Sequence, residues 1–263
     1  MPSAHIPIHQ PQDFQHMAEA GRLCATCLDY ITPFVQPDAT TEDIDAQCHQ
    51  FITQHGAIPA PLNYQGYPKS ICTSINHVVC HGIPSKRVLK NGDILNIDIT
   101  VIYNGWHGDS SRMFVIGKPS IKAQRLIDTT YQALMLGIEA AKPDNTLGDI
   151  GYAIQSHVEK NRFSVVREFC GHGIGRVFHD SPQILHYGRP KNGTVLKPGM
   201  FFTIEPMVNA GKKDVKILQD GWTAVTKDRS LSAQFEHTIG ITEEGCQIFT
   251  LSPKNYHYPP YTS

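Results

Sequence analysis

The sequence predicts an α+β fold in which two similar halves contribute strands to one antiparallel sheet, with helices covering the outer face of that sheet. The first observation is an internal repeat, because residues 35–44 (VQPDATTEDI) resemble residues 141–150 (AKPDNTLGDI) and residues 88–98 resemble residues 195–205. The second is an alternating strand pattern that ends in the hairpin signal Asn104-Gly105. Neither half has enough elements to bury both faces of a sheet alone, so we expect the halves to share one sheet around a pseudo-two-fold axis.

The repeat keeps its order and its spacing along the chain. Pro37 recurs as Pro143, 106 positions later, and Val88 recurs as Val195, 107 positions later. A nearly constant offset over separate blocks indicates a duplication. We therefore predict a single domain that spans residues 1–263, with halves at about 11–116 and 121–245.

Each half is expected to begin with two helices. The first helices are predicted at about 11–35 and 121–142, and the second helices at about 41–55 and 146–161. A Pro-Asp-x-Thr turn precedes each second helix, and its Asp and Thr are residue types that cap helix N-termini.

Strands are expected to follow the helices in each half. Apolar and polar residues alternate over 94–103, which predicts a strand, and the Asn-Gly turn predicts a return strand over 106–116. A further strand is predicted at 200–205, where Pro206 ends the ladder because proline has no N–H to donate. Another is predicted at 233–242.

Composition argues against several classes of protein. The chain has 23 Lys and Arg against 24 Asp and Glu, so its net charge favours neither a nucleic-acid nor a membrane partner. No apolar run reaches the roughly 18 residues that a membrane helix needs, and no signal peptide is recognisable, so we expect a cytoplasmic protein. Seven cysteines, an odd number, favour reduced thiols, and Cys24 and Cys27 lie in a helical pattern that predicts buried thiols rather than a redox or metal pair.

Acidic residues lie inside strand patterns that are otherwise apolar. If the hairpin turn is residues 104–105, Asp98 lies opposite Ser111, and Asp109 lies two residues from Ser111 on the same face. Glu205 occupies in the second half the position that Asp98 occupies in the first, so the repeat places it nearby by symmetry. Diagonal neighbours in a ladder are about 7–8 Å apart at the backbone. Carboxylates so placed can bind two ions about 3.5–4 Å apart.

The alternative is that these acids are ordinary solvated residues at strand ends. Asp98 lies within the apolar run ILNIDITVI, where an unpaired charge is costly, and Glu205 repeats that setting in FFTIE. We therefore favour a centre in which divalent cations remove the repulsion between clustered carboxylates.

His172 is the candidate imidazole ligand. It lies in the stretch Gly171-His-Gly-Ile-Gly175, whose glycines are expected to form a tight loop around the ring, and its His-Gly-Ile triplet is echoed at His81. A nucleotide-binding G-x-G-x-x-G fingerprint is not met, because Arg176 stands where the last glycine is needed.

Six motifs together resemble the type I methionine aminopeptidases of the pita-bread metallopeptidase superfamily. They are SINHVVCHGIP at 74–84, NID at 96–98, HGD at 107–109, CGHGIGRVFH at 170–179, FTIEPM at 202–207 and SAQFEHT at 232–238. The resemblance covers nearly the whole chain. It implies the pita-bread fold and a hydrolase that removes the initiator methionine from nascent polypeptides when the second residue is small.

The resemblance also implies the composition of the metal centre. Two divalent ions would be held by Asp98, Asp109, His172, Glu205 and Glu236, of which Asp109 and Glu236 would bridge both ions. Glu236 follows from the resemblance alone. Glu205 would be the general base for a water that the ions activate. Cobalt, manganese, iron, zinc or nickel would suit these ligands, and the sequence does not decide between them.

Substrate contacts are implied in the same way. His81 and His179 would hydrogen-bond the substrate backbone and the tetrahedral intermediate, with His81 near the scissile amide. The methionine pocket would be lined by Tyr64, Tyr67, Cys72, Phe178 and Trp222, and the backbone carbonyls of Asn76, Val78 and Ser232 would hold a sodium or potassium ion. Without the resemblance, the loop of Tyr64 and Tyr67 would be interpreted as ordinary core.

Two positions depart from common bacterial members of this family. Pro61 stands where a pocket cysteine is frequent, and His77 stands where an acidic residue is usual. Neither change removes a ligand, although Pro61 alters the expected pocket wall.

The expected partners are nascent polypeptides and the ribosome. Lys212, Lys213 and Lys216 form a basic loop of the kind that docks family members near the ribosomal exit tunnel, and the alternative is a solvated surface loop. The short interval between Glu205 and Glu236 leaves no room for the large insertion of the type II enzymes. We expect a monomer.

Two other functions remain open from the sequence. A relative acting on proline-containing dipeptides or on a non-peptide amide would usually carry a separate N-terminal domain, for which this chain has no space. A pita-bread binding module without catalysis would be expected to lose ligands, whereas all five candidate ligands are present.

Overall fold

The computed structural model describes residues 5–261. Its helices are α1 Pro11–Ile31, α2 Thr41–Gln54, α3 Ile121–Ala140 and α4 Leu147–Lys160, with 3-10 turns at Thr32–Phe34 and Tyr64–Gly66. Its strands are β1 Ile58–Pro59, β2 Cys72–Ile75, β3 Val78–Cys80, β4 Ile94–Tyr103, β5 Trp106–Val115, β6 Ser164–Val165, β7 Gly171–Gly173, β8 Asp180–Ile184, β9 Phe201–Ile204, β10 Met207–Asn209, β11 Val215–Ile217, β12 Ala224–Thr226, β13 Ser232–Gln234, β14 Glu236–Ile241 and β15 Cys246–Ile248.

Nine strands form one antiparallel sheet in the order β1-β4-β5-β14-β9-β7-β8, with β2 paired to β4 and β15 paired to β14. Strands of both halves therefore meet in this sheet, at the pairing of β5 with β14. The prediction of a shared antiparallel sheet is confirmed. Two small sheets, β13-β10-β6 and β11-β12-β3, were not predicted.

The central hairpin has the predicted register. Asn104 and Gly105 both have positive φ angles, 51° and 77°, which a two-residue type I′ turn requires. Tyr103 therefore pairs with Trp106, and the ladder continues so that Asp98 lies opposite Ser111. The turn residues alone fixed this register.

Helices cover one face of the sheet, as predicted. The side chains of Leu95, Ile97, Ile99 and Val101 are buried in a core with α1 and α2. Phe202, Ile204 and Ile239 are buried in a second core with α3 and α4. Because side chains alternate along a strand, the residues between these apolar positions face the other side of the sheet.

The duplication is visible in matching local contacts. Thr40 forms an isolated bridge with Val88, and Thr146 forms the same bridge with Val195. Each threonine also caps its helix, because the Thr40 hydroxyl accepts the Asp43 N–H and the Thr146 hydroxyl accepts the Asp149 N–H. Bridge and cap recur with the offset of the sequence repeat.

Several predicted boundaries need correction. The first helix was expected to reach residue 35 but gives way at Thr32 to a 3-10 turn, because Pro33 cannot continue the helical hydrogen bonds. The strand expected at 233–242 is two strands, β13 and β14, that belong to different sheets. The chain changes sheet at Phe235, whose buried ring packs against Tyr131 at 5.3 Å.

The cysteines are free thiols. Cys24 and Cys27 are buried in α1, and the Cys24 thiol donates to the carbonyl of Ile99. The prediction of buried helix thiols is confirmed. Within residues 5–261, no helix is long and apolar enough to span a membrane.

Candidate metal centre

Three of the candidate carboxylates lie in one row across the sheet. Asp98 of β4 and Glu236 of β14 both pair with Ser111 of β5, from opposite sides. His237 pairs with Ile204, so one further residue of this register places Glu205 beside Glu236. Strands from both halves therefore carry their acids to the same face of the sheet.

The other two candidate ligands lie in the next row. Asp109 pairs with Thr100 on one side, and its carbonyl accepts the hydroxyl of Thr238 at 2.7 Å on the other. Thr238 pairs with Thr203, whose hydroxyl accepts the backbone N–H of His172 at 3.0 Å. Small hydroxyl residues separate the ligands in this row and leave space above the sheet.

The side-chain atoms converge to distances that suit shared ions. One ligand atom each of Asp109, His172 and Glu236 lies within 4.8 Å of the others. The Nε2 atom of His172 is 3.6 Å from Asp109 Oδ2 and 3.7 Å from Glu205 Oε1. These distances are too long for hydrogen bonds but suit oxygen and nitrogen ligands arranged around a divalent cation.

Neighbouring polar groups orient the ligands. The Thr100 hydroxyl donates to Asp109 Oδ1 at 2.8 Å, and the Thr203 hydroxyl donates to Glu205 Oε1 at 2.8 Å. His172 Nδ1 lies 3.0 Å from the carbonyl of Gly173, so a proton on Nδ1 leaves Nε2 free to bind a metal.

Gln234 is a further contact to Glu205, since its Nε2 donates to Glu205 Oε2 at 3.2 Å. Sequence reasoning missed Gln234, Thr100 and Thr203. Their signal is positional, because each lies two residues from a candidate ligand along the chain.

The electrostatics of the cluster fit bound cations. Burial raises the pKa of Asp98 and of Glu236 well above the usual carboxyl range, and the Asp109 charge raises both further. Burial also raises the pKa of Glu205 to about 7. Burial disfavours protonation of His172, but Asp109 and Glu205 outweigh this effect and raise its pKa. The cluster lacks positive charge, which divalent cations would supply.

This excess of negative charge predicts a pH dependence of the metal-free protein. The pKa of Glu205 rises from 4.5 to about 7 on folding, so the folded chain binds more protons between these values and the Glu205 contribution to stability falls as the pH rises from 4.5 to about 7. The shift corresponds to roughly 3 kcal/mol. The measurement is the unfolding temperature of metal-free wild type and Glu205→Gln across this range.

The difference between the two proteins reports Glu205 together with its effect on the pKa values of Asp98 and Glu236. Buried histidines such as His237, whose pKa is lowered, change stability in the opposite direction in both proteins and cancel in the difference. We expect the wild type to lose stability relative to Glu205→Gln as the pH rises, and saturating divalent ion to abolish this loss. If the difference in unfolding temperature between the two metal-free proteins does not change with pH, the prediction is wrong.

The cluster lies in a cavity of about 370 Å³. All of the candidate ligands line it, together with the predicted substrate residues, which are His81, His179, Tyr64, Tyr67, Cys72, Phe178 and Trp222. Pro61 also lines the cavity, whereas His77 lines a separate, smaller one.

The two predicted substrate histidines are neutral near pH 7. Burial lowers the pKa of His81, and burial together with the neighbouring His172 lowers the pKa of His179. His179 Nδ1 lies 3.0 Å from the hydroxyl oxygen of Tyr64, and its ring lies 4.3 Å from that of His172. Neutral imidazoles offer one donor and one acceptor to a bound peptide.

One wall of the cavity is apolar and consists largely of aromatic rings. The Tyr67 hydroxyl donates to the carbonyls of Ile71 and Gly82 at 3.0 and 3.1 Å, which leaves its ring facing Trp222 edge-on at 5.1 Å. Phe178 stacks on His107 at 5.6 Å. Such a wall suits an unbranched apolar side chain of a ligand.

The three carbonyls predicted for a monovalent cation belong to residues outside this cavity. The Asn76 carbonyl accepts the backbone N–H of Ser232 at 2.8 Å, and Val78 begins β3 close by. None of Asn76, Val78 and Ser232 lines the metal-centre cavity.

The setting of His172 differs from the prediction. It lies in the short strand β7 rather than in a tight loop, and β7 pairs with both β8 and β9. The flanking glycines permit close approach of neighbouring backbone, because a Cβ at Gly171 would meet the Thr203 carbonyl and one at Gly173 would meet the Ser181 carbonyl.

Comparisons with known proteins show the family of this chain. The sequence profile of metallopeptidase family M24 matches residues 15–243. The curated methionine aminopeptidase of Rickettsia prowazekii (strain Madrid E) is 62% identical over 257 residues, which are 97% of this chain and 99% of that protein. The methionine aminopeptidase of Escherichia coli (strain K12) is 56% identical over 249 residues, 94% of each chain.

Solved structures of other proteins have folds similar to that of this chain. The crystal structure of the Rickettsia prowazekii methionine aminopeptidase has a TM-score of 0.93 at 62% identity and covers 94% of this chain and 100% of that one. The prolidase from Pyrococcus furiosus has a TM-score of 0.74 at 21% identity, and the match covers 92% of this chain but 65% of the prolidase, which shows a common fold.

Proposed function

The chain belongs to metallopeptidase family M24 and has the pita-bread fold, and on this basis we propose that it is a methionyl aminopeptidase that removes the initiator methionine from nascent polypeptides when the second residue is small. The observation that carries the proposal is the convergence of four carboxylates and one imidazole in a cavity with an apolar wall. The high identity to curated methionine aminopeptidases over nearly their whole length supports the same activity.

In this proposal Asp98, Asp109, His172, Glu205 and Glu236 would hold two divalent cations. The positions of the strands support the proposal that Asp109 and Glu236 would be the ligands within reach of both ions. These two lie on the central strands β5 and β14, with Asp98 on β4 to one side and Glu205 and His172 on the other. Bound divalent cations supply a Lewis acid for the scissile carbonyl and lower the pKa of the attacking water.

Glu205 is the proposed general base. Its carboxylate lines the cavity beside the other candidate ligands, where it can accept a proton from the attacking water and later give it to the leaving amine. The hydrogen bonds from Thr203 and Gln234 fix both of its carboxylate oxygens. The proton therefore moves to and from a carboxylate with a fixed position.

The remaining residues bind and orient the substrate. The wall of Tyr64, Tyr67, Cys72, Phe178 and Trp222 holds the methionine side chain. His81 and His179, which are neutral, hydrogen-bond the substrate backbone and stabilise the tetrahedral intermediate. A bound ion would also hold the free amino group of the substrate, which accounts for action at the N-terminus.

The finer assignments of ions and partners are also proposals. The native metal is one of cobalt, manganese, iron, zinc or nickel, all of which accept this ligand set. The carbonyls of Asn76, Val78 and Ser232 hold a sodium or potassium ion. The exposed side chains of Lys212 and Lys213, together with Lys216 of β11, dock near the ribosomal exit tunnel, where a cytoplasmic, monomeric enzyme meets nascent N-termini.

The experiment uses metal-stripped protein and three peptides, Met-Ala-Ser, Leu-Ala-Ser and Met-Lys-Ser, with each divalent metal restored in turn. We expect methionine release from Met-Ala-Ser only, because the pocket selects methionine and the second residue must be small, and we expect release to depend on added metal. Equal hydrolysis after chelation, or equal hydrolysis of all three peptides, would refute the proposed function.

A further inference from the structure

His186 is a buried histidine that the proposed chemistry does not use. It lies two residues after β8, it is 0% exposed, and its Nε2 accepts the backbone N–H of Glu205 at 3.1 Å. An accepting Nε2 requires that the proton of the neutral ring be on Nδ1. Nδ1 has no hydrogen-bond partner within residues 5–261.

The amide of Glu205 needs an acceptor from outside the ladder between β9 and β7. Strand β9 ends at Ile204, and the pairing of Gly173 with Phe202 brings the first residue of β7, Gly171, opposite Ile204. Strand β7 therefore offers no partner to the next amide. His186 supplies the missing acceptor from the segment beyond β8, the neighbour of β7.

That segment is itself fixed to the helical layer. The backbone N–H of Gly188 donates to Gln155 Oε1 at 3.2 Å, and Gly151 of α4 packs against the carbonyls of Leu185 and Tyr187. His186 thus connects a segment anchored on α4 to the backbone of the candidate base.

We propose that His186 is a positioning residue, whose ring holds the Glu205 backbone so that the Glu205 carboxylate stays in register with the other candidate ligands. This role rests on the proposed function of Glu205. An apolar residue would fill the same space but would leave the Glu205 N–H without its acceptor, so this position requires a side chain with an accepting atom where Nε2 lies. With Thr203 and Gln234 on its carboxylate, Glu205 is held at three points.

Two amide substitutions distinguish the effect of losing the hydrogen bond from the effect of changing the polarity of the side chain. In His186→Gln the side-chain oxygen reaches the position of Nε2 and can still accept from Glu205. In His186→Asn the oxygen reaches only the position of Nδ1. Loss of such an orienting contact typically costs about 10- to 100-fold in metal affinity or activity. We expect His186→Asn to lower kcat and Mn²⁺ affinity by about 10- to 100-fold and to change KM by no more than about twofold. We expect His186→Gln to keep kcat and Mn²⁺ affinity within about threefold of the wild-type values.

The matched stability control is Val158→Ala, which opens a cavity at a buried residue of α4 that does not line the metal-centre cavity. Mn²⁺ affinity is measured by calorimetry on metal-free protein, so this readout does not depend on which peptide is cleaved. Wild-type kcat and affinity in His186→Asn, or equal losses in all three variants, would overturn the positioning role.

A spectroscopic readout decides the matter even if neither His186 variant folds. We expect the nitrogen NMR spectrum of wild-type protein to show His186 protonated on Nδ1, and the Glu205 amide to exchange slowly with solvent. Protonation on Nε2, or fast exchange of that amide, would overturn the inference. Failure of the wild type to release methionine would refute the proposed function and leave these readouts intact.

Discussion

Replacing Asp109 with alanine is expected to lower kcat by at least about 10³-fold, because a metal centre supplies several kcal/mol of transition-state stabilisation. Asp109 occupies a central strand between the ligands of the two halves, and its Oδ2 lies 3.6 Å from His172 Nε2. Without it both proposed ions lose a shared ligand. The measurement is kcat on Met-Ala-Ser at saturating Mn²⁺, with the bound metal counted.

Two comparisons separate loss of the metal from loss of the fold. Thr100→Val keeps the carboxylate but removes the hydroxyl that donates to Asp109 Oδ1, so a smaller loss of about tenfold is expected. Metal-free Asp109→Ala should be at least as stable as metal-free wild type, because it removes one of several repelling buried carboxylates. Wild-type activity in Asp109→Ala would disprove the proposed centre.

Replacing Glu205 with glutamine is expected to lower kcat by about 10²- to 10⁴-fold, the usual contribution of a positioned general base. The amide keeps the shape of the carboxylate and one metal-binding oxygen, but it does not accept a proton from water at neutral pH. Stopped assays of methionine release from Met-Ala-Ser give kcat, and calorimetry gives the remaining metal affinity.

The control for this variant is Glu168→Gln, a glutamate that lines the same cavity but is exposed and belongs to neither ligand row. It should retain kcat within about twofold, since isolated surface charges contribute little. If kcat of Glu205→Gln falls by less than tenfold at full metal occupancy, the general base is another group.

The parts of this centre that the sequence predicted come from local or repeated signals. The Asn104-Gly105 turn requires positive φ at both residues, and this requirement fixed the register that sets Asp98 opposite Ser111. The repeat then placed Glu205 beside the first-half acids without knowledge of its strand partners. Both inferences depend on geometry that a few neighbouring residues determine.

The parts that could not be predicted from the residues without the family resemblance depend on distant pairings. Glu236 reaches the acid row because β14 pairs with β5, two strands that lie far apart along the chain. The break at Phe235 separates strands of different sheets although the pattern reads as one strand. The contacts of Gln234 and His186 to Glu205 likewise join remote segments. The alternation of side chains along a strand predicts which face of the sheet each residue occupies, but it does not predict which strand pairs with it.

The most direct test of the centre is anomalous diffraction from crystals of the protein grown with Mn²⁺. We predict two anomalous peaks above the shared sheet, both adjacent to Asp109 and Glu236, with Asp98 on the outer side of one ion and His172 and Glu205 on the outer side of the other. Crystals whose peaks lie away from these side chains, or in which the five side chains bind no ion at saturating Mn²⁺, would contradict a paired-ion centre built from both halves of the chain.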